Sequence, residues 1–380
     1  MSDFDAVVVG AGIIGLACAR ELARRSRSVL VLERHERFGC ETSSRNSEVV
    51  HAGIHYPPGS LKAGLCVRGN RGLRTYCEVL GVPFRPIGKV IVAVADEDLP
   101  KLEAIRANAA ECGVALQPLT ADEVRALEPH VRCVGGLWSP STAIVDSHAL
   151  MATILAELEA SGGTLACEHE VLAAERCSGA YRLVARGPDG AEAGVTADNV
   201  VNAAGLDADT VAAAAGFDVV ACGYRQRYAR GHYFRVAAAR SHLARHLIYP
   251  TPEQAGLGIH VTPDLAGSLR VGPDVEWLSG REQDYAVREE LRAAFHASVS
   301  RYLEGLEEDD LAPDLAGIRP KLQGEGEPFR DFVIAEESER GMPGWVNLLG
   351  IESPGLTCCL EIGARVAALV PAARGSTAPR

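Results

Sequence analysis

The first apolar run of the chain, Asp-Ala-Val-Val-Val at residues 5–9, is short and stops at a glycine. Over 13–25 the period changes. Ile14, Ala17, Cys18 and Leu22 recur at intervals of three and four, the spacing of one helix face. Residues 28–32, Ser-Val-Leu-Val-Leu, are again continuously apolar, as a strand buried on both faces requires. Strand, helix and strand in that order predict the start of a parallel sheet. Further on, the patterns predict helices over 60–80, 96–112 and 147–160 and a strand over 88–94. Thr120 and Glu123 have the spacing of a capping box that opens a short helix. Short β-type runs follow at 163–167, 171–176 and 181–186, then Asp-Asn-Val-Val-Asn-Ala-Ala-Gly at 198–205, which reads as a buried strand ending at a glycine.

From about 219 to 312 the texture differs. Alternation over 224–235 and 258–272 predicts antiparallel strands, and 284–304 predicts a long helix. Residues 313–370 return to glycine-rich turns and close with a helix over 354–369, and 371–380 read as a frayed tail. No repeat and no low-complexity tether interrupts the pattern. The reading is an α/β chain, a Rossmann-like parallel-sheet domain interleaved with an α+β, antiparallel-sheet domain. The first is assigned to 1–83, 147–218 and 313–370, and the second to 84–146 and 219–312.

Composition narrows the class. The 380 residues carry a formal net charge of −12, which argues against a nucleic-acid partner because nothing neutralises phosphates globally. No apolar run approaches the ~18 residues of a membrane span, so none is expected. Peripheral contact with a membrane surface stays open. Residues 1–5 lack the basic start of a signal peptide. The 11 cysteines include no CxxC pair, and adjacent Cys358 and Cys359 have poor geometry for an ordinary disulfide. Reduced cysteines in a cytoplasmic protein, with no metal site, are the expectation.

Gly10-Ala11-Gly12-Ile13-Ile14-Gly15 fits G-x-G-x-x-G, and an acidic residue, Glu33, followed by Arg34, closes the second predicted strand. In that context the motif is a dinucleotide fingerprint. Gly10 permits a sharp turn, Gly12 lets the backbone approach a pyrophosphate, and Gly15 lets the helix pack close to the sheet. The helix N-terminus offers N–H groups and a positive dipole to phosphates. Glu33 can accept hydrogen bonds from ribose hydroxyls. Thr42, Ser43, Ser44, Asn46 and Ser47 can bond to phosphate, ribityl or ring edges, and Arg45 can pair with an anion.

The segment 43–63, with Ser43-Ser44-Arg45-Asn46-Ser47-Glu48-Val49-Val50-His51-Ala52-Gly53-Ile54-His55-Tyr56-Pro57-Pro58-Gly59 at its head, resembles the D-amino-acid-oxidase-like superfamily of FAD enzymes. Within it, the chain is similar to the L-2-hydroxyglutarate dehydrogenase/oxidase family. The likeness recurs at Gly88-Lys89, at 258–264 (Gly-Ile-His-Val-Thr-Pro-Asp), at Gly272-Pro273, at 317–322 (Gly-Ile-Arg-Pro-Lys-Leu) and at 350–357, so it covers about residues 4–370. Arg45, where many members carry His, and His55, where an aromatic is common, depart from the pattern. The resemblance implies FAD, with Val171 near adenine and Ala203, Ala204 and Gly205 making a second backbone approach. It also implies a closing helix whose N-terminus points at the flavin, from the segment Gly350, Glu352, Ser353, Pro354, Gly355, Leu356 and Thr357. Ser353 suits an N-cap and Pro354 the first helical position. No Cys or His lies in 317–324, where some amine-oxidising relatives tether flavin, so noncovalent FAD is expected.

The activity implied is oxidation of a small 2-hydroxy acid, with L-2-hydroxyglutarate as substrate and 2-oxoglutarate as product. Such a reaction removes a hydride from C2, taken by flavin N5, and a proton from the hydroxyl. His51 is the first candidate base and His260 the second, with His55 and His232 behind them. Arg319 is the candidate carboxylate clamp, because a guanidinium forms a bidentate fork and keeps its charge. It also falls among the cofactor candidates. Lys321, two residues on, is a candidate for a distal carboxylate. Tyr56, Tyr233 and Ser353 are candidate pocket residues. The rival class is an amine or amino-acid oxidase of the glycine- or sarcosine-oxidase type. The electron acceptor, whether oxygen, a quinone or a protein carrier, is not legible in the residues.

Overall fold

The structure is a computed structural model that describes residues 2–25, 27–252 and 258–370. The tail expected at 371–380 lies outside the described residues. The chain divides into two compact units, Met1–Ser44 with Ser147–Arg227 and Pro320–Arg380, and Arg45–Asp146 with Tyr228–Arg319. The expected bounds differ from this division at three places: residues 219–227 fall in the first unit, 313–319 in the second, and a longer segment near the N-terminus also changes unit. Residues 45–83 belong to the second unit, not the first. Packing explains the difference. Val49–Val50 pairs with Ala143–Val145, and Val49, Ala52 and Ile54 enter the same core as Ile91, Leu247 and Tyr249.

In the first unit, Phe4–Val9 pairs in parallel with Val29–Leu32 and with Glu192–Asn202, and the latter pairs in parallel with Met342–Leu349. All four residues of Val29–Leu32 are buried, as a strand covered on both faces requires. Glu192–Asn202 does two jobs. Its outer half pairs antiparallel with Ala180–Arg186, and its inner half lies in the parallel sheet, where burial becomes continuous. The apolar pattern at 198–205 therefore marks only the inner half. Helix Gly355–Leu369 packs against helix Ile13–Ala23.

The second unit is built on a nine-stranded sheet. Lys89–Ala93 runs antiparallel to Gly135–Ser139 and parallel to Leu247–Pro250, and the sheet continues through His260–Pro263 and Leu269–Gly272 to Arg227–Val236. Strand Leu311–Lys321 also pairs with Arg227–Val236. The expected long helix at 284–304 is only Arg292–Val299 with a 3-10 turn at Glu289–Leu291 before it. Asp284 holds the preceding stretch out of the helix, since its carboxylate accepts from the Ala286 N–H (2.9 Å) and from Arg230 (2.7 Å). The section 313–370, expected as turns, holds the strands Val333–Glu337 and Met342–Leu349. Among the described residues no helix is long and apolar enough to cross a membrane.

Candidate active site

The glycine fingerprint is a close-packed backbone knot in the first unit. Gly10 sits at φ +99°, and a Cβ there would lie 2.6 Å from the Ala203 carbonyl oxygen. A Cβ on Gly15 would lie 1.9 Å from the Gly10 carbonyl oxygen, so only glycine lets the helix meet the turn. Gly12 leads into the helix with no side chain of its own, and Ser43 Oγ accepts the Ile13 N–H (2.9 Å) in its place. The N–H groups of Ile14 and Gly15 begin the helix and have no carbonyl one turn earlier. Buried Glu33 accepts from the Ala11 N–H (2.7 Å) and the His35 N–H (2.9 Å). Each carboxylate oxygen keeps a second lone pair for a ribose hydroxyl. Arg34 is engaged by Glu41 and by Asp207 (2.8 Å).

These parts share one cleft. Gly12, Glu33, Ser43, Val171 and Ala204 all line it, so the structure gathers five separated stretches of sequence. Thr42 and Gly205 line it too. Ser44 Oγ donates to the Glu41 carbonyl (3.2 Å) and closes a local turn. Behind the cleft is a residue absent from the sequence reading, Gln226. Its Nε2 donates to the carbonyls of Gly205 (2.9 Å) and Leu206 (3.0 Å), and its Oε1 accepts the Gly350 N–H (2.7 Å). One buried amide thus ties together the loops that follow two adjacent parallel strands. Nothing local in its sequence signals that role.

Two expectations near the closing helix need correction. The helix begins at Gly355, its N-cap is Pro354, and no side chain caps it, while Ser353 is exposed one residue earlier. Lys321 does not await a distal carboxylate. Its ammonium holds both oxygens of buried Glu352, at 2.8 and 2.7 Å. Pro354, Leu356 and Thr357 belong to the start of the helix as expected.

In the second unit, His51 follows strand Val49–Val50, and its carbonyl accepts from Asn70 Nδ2 (3.1 Å). Asn70 also donates to the Ser141 carbonyl (2.9 Å), which fastens His51 between helix Leu61–Leu80 and the loop at 141. Burial, then the nearby Lys89 ammonium, push the His51 ring down to about 3. His55 is pushed down as well, by burial and then by Lys89, His51 and His260, and its buried Nε2 has no hydrogen-bond partner among the described residues. Lys89 is fully buried, at 0% exposure. Its Nζ lies 4.4 Å over the Tyr249 ring, and it too lacks a hydrogen-bond partner among the described residues. Burial pushes it down to about 7. His260 stacks on the Tyr249 ring at 3.5 Å. Among the described residues no group of three His, Cys, Asp or Glu side chains is placed to hold an ion.

The remaining candidates form a second group in the same unit. Arg319 Nη2 donates to the Asp274 carbonyl (2.9 Å) and lies where a Cβ on Gly231 would be, 2.1 Å away, so that glycine makes room for the guanidinium. Buried Tyr233 feels Arg319 and Arg270 and hydrogen-bonds Ser47. His232 is fully buried and bound through Nδ1 to Asp274 (3.0 Å), and its Nε2 has no hydrogen-bond partner among the described residues. Arg45 lies over the Tyr285 ring at 4.1 Å. Asn46 Oδ1 accepts the Glu48 N–H (2.8 Å), a local turn. The Tyr56 carbonyl accepts from Asn108 (3.0 Å). Lys89 and Tyr249 were missed in the sequence. A lysine inside the run Lys-Val-Ile-Val-Ala was itself the signal, because a charge seldom enters a fully buried strand without a purpose.

A parallel sheet with this glycine knot and buried acidic residue defines a dinucleotide-dependent oxidoreductase fold. The chain belongs to the DAO family, FAD dependent oxidoreductase, whose profile matches residues 5–369. Its cofactor is FAD. The chain is similar to the mitochondrial L-2-hydroxyglutarate dehydrogenase of Arabidopsis thaliana, 39% identical, covering 96% of this chain and 82% of the relative. It is also similar to L-2-hydroxyglutarate dehydrogenase of Escherichia coli K12, 28% identical over 97% and 93% of the two chains. Among solved structures, L-alpha-glycerophosphate oxidase from Mycoplasma pneumoniae with FAD bound superposes with a TM-score of 0.87 at 26% identity, over 97% and 95% of the chains.

Proposed function

We propose that the enzyme oxidises L-2-hydroxyglutarate to 2-oxoglutarate. The observation that carries this reading is the basic gathering of His51, His55, Lys89 and His260, in which Lys89 and the His55 Nε2 have no hydrogen-bond partner among the described residues. An anion supplies a partner to the Lys89 ammonium and the His55 Nε2. The names of the relatives from Arabidopsis and Escherichia coli agree with a 2-hydroxy acid. An amine substrate would bring an ammonium next to Lys89, and so the amine-oxidase class ranks second.

FAD, held noncovalently by the glycine knot and Glu33, supplies the hydride acceptor when bound. His51 is neutral at physiological pH and so can accept the hydroxyl proton. Substrate carboxylate opposes the effect of Lys89 and raises the basicity of His51 on binding. Arg319 orients the carboxylate next to the reacting carbon through its fork. Anaerobic flavin bleaching tests the reading. L-2-hydroxyglutarate bleaches the flavin, whereas glycine and sarcosine do not. Bleaching by the amines alone overturns the proposal. Offering oxygen and then a quinone to the reduced enzyme identifies the electron acceptor.

A further inference from the structure

The geometry points to Lys89, assisted by His55, as the subsite for the substrate's second carboxylate, the one away from the reacting carbon. This deepens the proposed function and rests on it.

Three neighbouring strands carry the elements. Lys89–Ala93, Leu247–Pro250 and His260–Pro263 lie side by side in the sheet, so Tyr249 stands between Lys89 and His260. The ammonium is over the Tyr249 ring at 4.4 Å, and the His260 ring is stacked on it at 3.5 Å. Lys89 and the His55 Nε2 are both buried, and both lack a hydrogen-bond partner among the described residues. A fold gains nothing in stability from an unpaired buried ammonium. Its retention is explained by a ligand that completes it. Cys66 and the Tyr249 ring act on Lys89 itself, and His51 and His55 both feel its charge.

A second cationic centre lies in the same unit at Arg319, beside Tyr233. Tyr233 in turn adds to the upward push on the Tyr249 hydroxyl, after burial. Two cations in one unit, Lys89 and Arg319, match the two carboxylates of a diacid. The division of labour follows from shape. The carboxylate beside the reacting carbon must be oriented, and a planar guanidinium fork does that. The distal carboxylate needs only charge recognition, for which a compact ammonium suffices.

The test is Lys89→Met in the holoenzyme, with L-2-hydroxyglutarate and L-2-hydroxybutyrate as paired substrates. Loss of Lys89 changes His51 in the free enzyme identically for both substrates, so the ratio of their kcat/KM values reads what the distal carboxylate gains at Lys89, charge recognition and relief of His51 together. The expected result is a fall of roughly 30-fold or more in the wild-type preference for the diacid. The variant also keeps its FAD, and its thermal midpoint is equal to or above that of the wild type, which a merely structural lysine would not allow. An unchanged preference ratio overturns the assignment, and so does a variant that loses its fold. If wild-type flavin is bleached by neither acid, the proposed function itself fails and this subsite with it.

Discussion

Gln226→Leu removes one buried amide while keeping its approximate volume. Three backbone groups lose a hydrogen bond, the carbonyls of Gly205 and Leu206 and the N–H of Gly350, but the Gly205 carbonyl keeps the Ala208 N–H. Each buried group left unsatisfied costs about 1–3 kcal/mol. That cost falls on the Gly350 N–H, while each carbonyl loses only an added bond, so the sum is on the order of 2 kcal/mol. Because Gly205 lines the cofactor cleft, part of this loss falls on FAD affinity, at about tenfold per 1.4 kcal/mol. Two measurements divide the total. Thermal unfolding of the apoprotein reads the folding share, and titration of apoprotein with FAD, followed by flavin fluorescence, reads the binding share. If both stay within about 0.5 kcal/mol of wild type, the tie between the loops is not structural and the reasoning is wrong.

His51→Ala should slow anaerobic flavin reduction by roughly 100-fold or more with FAD content retained, and stopped-flow absorbance reads both. Arg319→Lys should raise the KM for the hydroxy acid about tenfold or more in steady-state assays, since one ammonium cannot reproduce the fork. The pH dependence of stability has a definite sign. The folded-state His51, at about 3, lies below its ordinary value of 6.5, so the unfolded chain binds more protons between them and stability falls as pH drops through that window. Lys89, at about 7 against 10.5, makes the unfolded chain the better proton binder between those values, and stability therefore climbs from pH 7 toward 10.5. Urea titrations at pH 7 and 9 should show a rise for the wild type that is smaller in Lys89→Met.

How much of this was legible depends on how local the cause is. The glycine knot was readable because its three glycines lie within six consecutive residues, Gly10 to Gly15, although Gly10 and Gly12 make room for the distant Ala203 and Ser43. The capping box at Thr120 and Glu123 formed as its spacing implied, with the Thr120 N–H donating to Glu123 at 2.7 Å. The long helix at 284–304 failed because the salt bridge from Asp284 to Arg230 spans 54 residues and overrides local periodicity. Gln226 was invisible for the same reason, since its partners lie 20, 21 and 124 residues away. Lys321 misled because two residues in one extended segment, Arg319 and Lys321, were assumed to share a task. Buried Glu352 claims the lysine, and no pattern within 317–324 announces it. The C-terminal strands were missed because glycines at 341, 344 and 350 mask the apolar run between them.

The carboxylate of Glu33 is fastened by the N–H groups of Ala11 and His35, both supplied by the protein itself. Its rotamer is therefore settled during folding, and the entropy of ordering it is not charged to cofactor association. An empty cleft with its hydrogen-bond acceptor already aimed behaves as a lock rather than a clasp. Deflavinated protein should then recapture FAD at a rate governed by encounter, with little loop rearrangement to wait for.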